Sequence, residues 1–255
     1  MTISLEVCAN SVQSAIAAQE GGAKRIELCD NLHEGGTTPS YGHIKITRQL
    51  LQIPIHVLLR PRAGDFLYTR HELEIIKADL EFCGQNGCDA VVIGILNAGG
   101  TVDKPRCAEL VQMAKKAGMR TTFHRAIDLC ADVFAAMEDI IELGFDYILT
   151  SGGKTSAMEG ASKIAQLIQR ANGRIGIIPG GGVSEYNAAD LVHFTGASEI
   201  HSSARVHRDS AMVYRNTQII MGTSASEYGI DETDADRVRN IIKKANEACL
   251  GSKDT

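Results

Sequence analysis

The chain is predicted to be an α/β protein, a single (β/α)8 barrel spanning residues 1–255. Three observations lead there. Eight short apolar segments alternate with helix-length segments from one end to the other, and strict alternation means parallel strands joined by right-handed crossovers, which close at eight units. The length of 255 residues matches the roughly 250 residues of such a barrel. Ionisable residues gather just past the strand segments, where a barrel carries its working loops. A doubly wound open sheet is the competing arrangement of the same pattern.

The first strand, over 5–10, alternates apolar and polar side chains. Asn10 and Ser11 are good helix caps, Val12, Ala15 and Ile16 follow at helical spacing, and Gly21-Gly22 stops the helix. Strand two covers 25–29. A polar loop over 30–38 leads to Pro39 in a first-turn position and a helix to about 51. Strand three is 55–59, ending in Arg60-Pro61-Arg62, and Thr69-Arg70-His71-Glu72 opens the next helix as a capping box.

Strand four, 90–95, is nearly all apolar, as a strand covered on its outer face must be. Asp103 and Pro105 begin a helix that stops at Gly118, and strand five is 120–124. A helix from about Asp132 ends at Gly144, and strand six, 147–150, runs into Ser151-Gly152-Gly153. The helix over 158–171 stops at Asn172-Gly173. Strand seven, 175–178, precedes Pro179-Gly180-Gly181-Gly182, and Ser184 caps a short helix to about 194. Strand eight, 199–201, is followed by Ser202-Ser203-Ala204-Arg205. A polar stretch over 206–232 reads as an arm crossing the barrel mouth or meeting another subunit, and the last helix covers 233–250.

Composition narrows the function classes. Net charge is −5 with no long basic run, so the electrostatic footprint of a nucleic-acid binder is missing. No apolar run reaches the roughly 20 residues of a membrane helix, and the N-terminus has no secretion signal, so a cytoplasmic location is expected. Seven cysteines without a CxxC pair read as reduced thiols rather than a disulfide framework.

Two segments echo one another. Leu-Glu-Val-Cys-Ala-Asn (5–10) and Ile-Glu-Leu-Cys-Asp-Asn (26–31) repeat one pattern. In parallel neighbouring strands, Glu6, Cys8, Glu27 and Cys29 would come together on one surface while Leu5, Val7, Ile26 and Leu28 face the other way. Cys8 and Cys29 at matching positions would bring two sulfurs within reach of one soft ion, with Cu(I) the cytosolic candidate. Buried free cysteine also serves as a small apolar filler. Cys83, Cys88, Cys107, Cys130 and Cys249 fall on or beside helices and read as packing residues.

The remaining strand ends supply an acid–base and anion-binding set. Glu27 or His124 would act as acid or base, with Arg60 and Arg125 as electrostatic clamps. Arg62, Ser151, Gly152, Gly180, Gly181, Gly182, Ser202 and Ser203 would form an anion cradle in the place where such barrels hold phosphate. His201 faces the same mouth, and His56 reads as a core residue. The competing reading is a structural salt-bridge network plugging the barrel.

These motifs carry a family resemblance. Glu-Val-Cys (6–8), Arg-Ile-Glu-Leu-Cys (25–29), Glu-Gly-Gly-Thr-Thr-Pro-Ser (34–40) and Arg-Pro-Arg-Ala-Gly-Asp-Phe-Leu-Tyr (60–68) resemble the CutC family. So do Thr-Phe-His-Arg-Ala-Ile-Asp (122–128), Ile-Leu-Thr-Ser-Gly-Gly (148–153), Pro-Gly-Gly-Gly (179–182) and Glu-Ile-His-Ser-Ser-Ala-Arg (199–205). The resemblance runs in order over nearly the whole chain. It implies a TIM barrel, a cytosolic location, homo-oligomers and a part in copper homeostasis, with Cys8 and Cys29 as Cu(I) ligands. The alternative is a barrel enzyme acting on a small anionic or phosphorylated substrate at the same mouth.

Overall fold

The protein is seen in a computed structural model that describes residues 2–221 and 226–250. Eight parallel strands form one sheet: β1 (Ser4–Ala9), β2 (Arg25–Leu28), β3 (Ile55–Leu58), β4 (Ala90–Ile93), β5 (Arg120–Phe123), β6 (Tyr147–Thr150), β7 (Gly176–Pro179) and β8 (Glu199–Ser202). Their order is β7-β6-β5-β4-β3-β2-β1-β8. A parallel bridge between Gly180 and His201 joins the two outer strands. The sheet therefore curls into the expected barrel, which an open doubly wound sheet would not do.

The helices α1 (Val12–Glu20), α2 (Tyr41–Leu50), α3 (Arg70–Gln85), α4 (Lys104–Lys116), α5 (Val133–Leu143), α6 (Ala161–Ala171), α7 (Ala188–Thr195) and α8 (Ala235–Leu250) cover the strands. Local chemistry sets most of their ends. Ser11 accepts from the Ser14 N–H, Asp132 from Phe134 and Ala135, and Thr69 and Glu72 close a reciprocal capping box. Gly144 ends α5 in the left-handed region at φ 80°. Several starts move. α2 begins at Tyr41 with Ser40 as its cap, so Pro39 lies before the helix and not in its first turn. α6 begins at Ala161 and not at 158. α7 begins at Ala188, the Ser184 hydroxyl accepting from the Tyr186 N–H in the turn before it while the Ser184 N–H donates to Asn187 Oδ1.

Leu5, Val7, Ile26 and Leu28 are buried in the apolar layer between strands and helices, each contributing roughly 1.5–3 kcal/mol of burial. The opposite faces of these strands hold Glu6, Cys8, Arg25 and Glu27, all buried, so the barrel interior next to β1 and β2 is polar. The two echo motifs do not lie side by side. Cys8 pairs with Glu27 and Glu6 with Arg25, so the second motif sits one inward position higher. That stagger is what the shear of a closed barrel requires.

The stretch after β8 is not irregular throughout. β9 (Arg205–Asp209) and β10 (Gly229–Thr233) form an antiparallel pair. Its base is tied to β1 and α1 by Asn10 Nδ2 donating to the Asp231 carbonyl and the Thr233 N–H donating to Ser14 Oγ. Arg205, the first residue of β9, lines the cavity at the barrel mouth, and Asp231 of β10 lies 3.6 Å from His33 in the loop after β2. Beyond it, Met212, Val213, Tyr214, Ile219, Ile220 and Met221 are exposed; residues 222–225 of this arm lie outside the described residues, as does the side chain of Cys249. No helix among the described residues is long and apolar enough to cross a membrane.

Candidate functional site

A cavity of about 400 Å³ opens at the C-terminal ends of the strands. Cys8, Glu27, Arg60, His124, Arg125, Gly181, Gly182, Ser202 and Ser203 all line it, joined by His201, Arg205 and the apolar Leu32, Leu58, Phe66, Leu149 and Val183. The polar groups follow from strand ends, as barrel geometry dictates. The apolar wall was not anticipated, since Phe66 and Leu32 come from loops whose sequence carries no periodic signal.

The cysteine pair sits on one wall. Cys8 Sγ and Cys29 Sγ are 3.4 Å apart, despite the stagger, within a small collar of Leu58, Val92 and Leu32. Gly36 closes the loop over Cys29. A Cβ there would meet Leu58 at 2.7 Å, and its φ of +89° suits only glycine. The hydrogen bond with Cys29, burial and the Glu27 carboxylate together push the Cys8 thiol well above its usual range. Cys29 is buried and is not among the residues that line the cavity.

Glu6 and Glu27 have opposite surroundings. Burial alone would raise Glu6, but the Arg25 guanidinium, with help from His201 and His56, holds it well below the usual carboxylate range. Arg25 also donates to Glu199 at 2.7 Å, and Lys24 to the other oxygen of Glu199 at 2.8 Å. Glu27 meets no Lys or Arg among the described residues; its nearest cationic group is His201 Nε2, at 3.8 Å. Burial raises Glu27, opposed by His201 and reinforced by the Glu6 charge. The other ring nitrogen of His201, Nδ1, hydrogen-bonds Glu6 Oε1 at 2.9 Å. Burial works against the His201 cation, yet the hydrogen bond to Glu6 and the charges of Glu27 and Glu6 raise its pKa.

His124 is different. Its Nδ1 accepts from the Ala126 N–H at 3.2 Å, which places the proton on Nε2. Burial and the nearby Arg60 charge push it down to about 3. It is therefore a neutral imidazole, and its Nε2–H is buried with no hydrogen-bond partner among the described residues. Arg60 is buried, donates to the carbonyls of Glu34, Gly36 and Gly64, and meets no carboxylate among the described residues. His56 is buried as expected, with Nδ1 3.4 Å from Glu6 and no hydrogen bond.

The predicted anion cradle is divided. Ser151 and Gly152 do not line the cavity, because an internal carboxylate already fills their turn. Asp128 accepts from the N–H groups of Ser151 and Gly153, from the hydroxyls of Ser151 and Thr150, and from Arg125 Nε. The Gly152 N–H goes to Thr150 Oγ1 and that of Gly180 to the Thr150 carbonyl. Arg62 stands outside the cavity. Its donors are taken by Glu72, Asp65 and the carbonyls of Ala63, Asp65 and Leu67. What remains at the cavity is Gly181, Gly182 and Ser203, whose N–H groups meet no acceptor among the described residues. Arg125 Nη1 is likewise unbonded, while Nη2 donates to Ser151 and Lys154.

The whole chain has close relatives. It is 46% identical over 239 residues to the copper homeostasis protein cutC homologs of Mus musculus and Homo sapiens, covering 93% of this chain and 87% of each relative. A crystal structure from Streptococcus agalactiae, described as a copper homeostasis protein CutC, superposes with a TM-score of 0.75 at 34% identity, over 79% of this chain and 99% of that one. Thiamine phosphate pyrophosphorylase from Pyrococcus furiosus, at 15% identity and a TM-score of 0.60, covers 96% of each chain and shows the shared barrel fold alone. With the family model of the CutC family matching residues 3–206, the chain belongs to the CutC family, which includes the mouse and human relatives named copper homeostasis protein cutC homolog.

Proposed function

We propose that this protein binds Cu(I) through Cys8 and Cys29 as its contribution to copper homeostasis. The observation that carries the reading is the 3.4 Å separation of the two sulfurs, with Cys8 opening to the cavity. Two thiolates in an apolar collar suit a soft monovalent ion. Because the Cys8 thiol is held above its usual range, copper must displace protons, and affinity should rise with pH. Anaerobic competition against a Cu(I) chelator tests this. Cys8→Ser and Cys29→Ser should each weaken binding strongly; unchanged affinity in the double variant would sink the reading. Six buried or half-buried free thiols fit a reducing, cytoplasmic setting. The exposed apolar tip at 212–221 fits a homo-oligomer, which the mass in solution would show.

A second reading rests on a separate observation. Arg60 is a buried cation without a carboxylate among the described residues, and Arg125 Nη1 with the N–H groups of Gly181, Gly182 and Ser203 offers unused donors. They come from the ends of β3, β5, β7 and β8, and the last two are the usual phosphate position of such barrels. In this reading a small phosphorylated substrate lies in the cavity, Glu27 serves as the proton-transfer group and His124 Nε2–H as a donor. Arg62, Ser151, Gly152 and Gly180 support the loops rather than the ligand. Thermal-shift measurements with inorganic phosphate and simple phosphate monoesters should show stabilisation that weakens in Arg125→Ala. No shift with any anion would remove the enzyme reading while leaving the copper one intact.

A further inference from the structure

Cys8 faces two sets of neighbours, and the copper reading uses only one of them. On the other side, Cys8 Sγ, a Glu27 carboxylate oxygen and a His201 ring nitrogen all lie within 4.8 Å of one another, and all three residues are buried. Cys29 does not belong to that group. A metal at about 2.0–2.3 Å from N, O and S donors in a tetrahedral arrangement needs those donors roughly 3–4 Å apart. His201 Nε2 and Glu27 Oε2 are already 3.8 Å apart, so small side-chain rotations complete the triangle.

The supporting contacts have the form a metal site uses. A ligating histidine characteristically gives its second nitrogen to a carboxylate, which fixes the ring and raises its basicity. His201 Nδ1 is 2.9 Å from Glu6 Oε1, and Glu6 is itself clamped by Arg25. That leaves Nε2 aimed toward Glu27. Charge agrees with this reading. Arg25 and Lys24 offset Glu6 and Glu199, whereas Glu27 has no Lys or Arg partner among the described residues. One divalent ion with the Cys8 thiolate, the Glu27 carboxylate and neutral His201 is a neutral centre.

We infer that Cys8, Glu27 and His201 form a three-ligand site for a borderline divalent ion of the zinc(II) or cobalt(II) class, with its fourth position open to the cavity. Mixed S, O and N donors favour such an ion, while the all-sulfur pair of Cys8 with Cys29 favours Cu(I). Three protein ligands with one open position are the arrangement of zinc centres that bind water or substrate. Since both sites need the Cys8 thiolate, they exclude one another: Cu(I) and the divalent ion compete for one residue. The inference goes beyond the copper reading and does not depend on it.

Cobalt(II) is the probe. Titrating the reduced full chain anaerobically should give one bound cobalt per chain, with four-coordinate d–d bands and a sulfur-to-cobalt charge-transfer band. His201→Gln should weaken binding by at least the 10–100-fold that follows loss of a supporting hydrogen bond in such sites. Cys29→Ser should leave the cobalt spectrum in place while abolishing Cu(I) binding. No stoichiometric cobalt, a spectrum indifferent to His201→Gln, or one lost in Cys29→Ser as fully as in Cys8→Ser would each overturn the site. Circular dichroism establishes that each variant is folded, and the contrast of His201→Gln with Cys29→Ser decides the matter even if Cys8→Ser is not. Failure of Cu(I) to bind or to displace cobalt would remove the thiol-pair reading and leave the cobalt site standing.

Discussion

The two ends of the barrel hold buried charge in opposite ways. At the floor, Glu6, Arg25, Glu199 and Lys24 are joined by hydrogen bonds, with Arg25 also 4.8 Å above the Tyr147 ring. At the mouth, among the described residues, Glu27 has no Lys or Arg beside it, Arg60 has no carboxylate, and Arg125 keeps a free donor. Burying an unpaired charge is costly. The charges at the floor are satisfied within the fold, whereas those at the mouth border the cavity that the proposed ligands would occupy. The two glutamates of the echoed motif show this most directly. Glu6 is pulled down by Arg25, whereas Glu27 is raised by burial.

The largest expected effect breaks the floor. Arg25→Met removes the cation between buried Glu6 and half-buried Glu199 and should destabilise by about 3–5 kcal/mol, the usual cost of stranding one partner of a buried pair. Glu27→Gln, at the equivalent position of the other motif, should change stability by less than about 1 kcal/mol, because it loses only the 3.8 Å contact with His201 and no pair with Lys or Arg. Urea unfolding of both variants measures the contrast. Equal losses would erase the distinction between floor and mouth. Acid supplies a second probe of the floor. Glu6 is depressed in the folded state, so its contribution is present above the ordinary glutamate pKa of about 4.3 and fades as pH falls below it.

A middle-sized effect concerns the histidines. His124 is held at about 3 and His56 at about 4, both chiefly by burial. An unfolded chain takes up these protons near pH 6.5 while the folded one refuses them. Stability should therefore fall as pH drops from about 6.5 toward 4, with each histidine contributing up to a few kcal/mol across that window. His201 has the opposite sign. Its raised pKa adds stability that is full below about 6.5 and is lost as pH rises through its folded value. His124→Asn should flatten the acid limb of the melting temperature, and an unchanged slope would mean that its ring is not the neutral species the Ala126 contact requires.

Much of this contrast was legible in the residues and some was not. Strand ends, the Thr69–Glu72 box and the cysteine pair are local or near-local patterns. Three things depended on closure. The barrel stagger sets Cys8 against Glu27 instead of Cys29, and that offset is a property of the ring, not of either motif. It also carries Arg25, apparently an ordinary first residue of a strand, into the floor. Asp128 fills the turn after β6, which glycines and serines alone advertise as free. His201 was visible as a strand-end histidine, but its bond to Glu6 spans 195 positions and has no local signature.

The smallest effect separates three arginines that look alike in the sequence. Arg62 is partly exposed, and its pairs with Asp65 in the same loop and Glu72 in the first turn of α3 are screened by solvent. Exposed pairs of this kind contribute roughly 0–1 kcal/mol. Arg62→Ala should therefore lower stability by no more than about 1 kcal/mol and leave phosphate stabilisation unchanged. Arg125→Ala should diminish the phosphate effect, since its free Nη1 is at the cavity. Arg60→Ala should cost more stability than Arg62→Ala, because it strands three loop carbonyls that the guanidinium now satisfies. If Arg62→Ala alone abolished the phosphate shift, the anion would be bound on the loop after β3, outside the cavity, and the mouth would lose its claim to be the open end of the barrel's electrostatics.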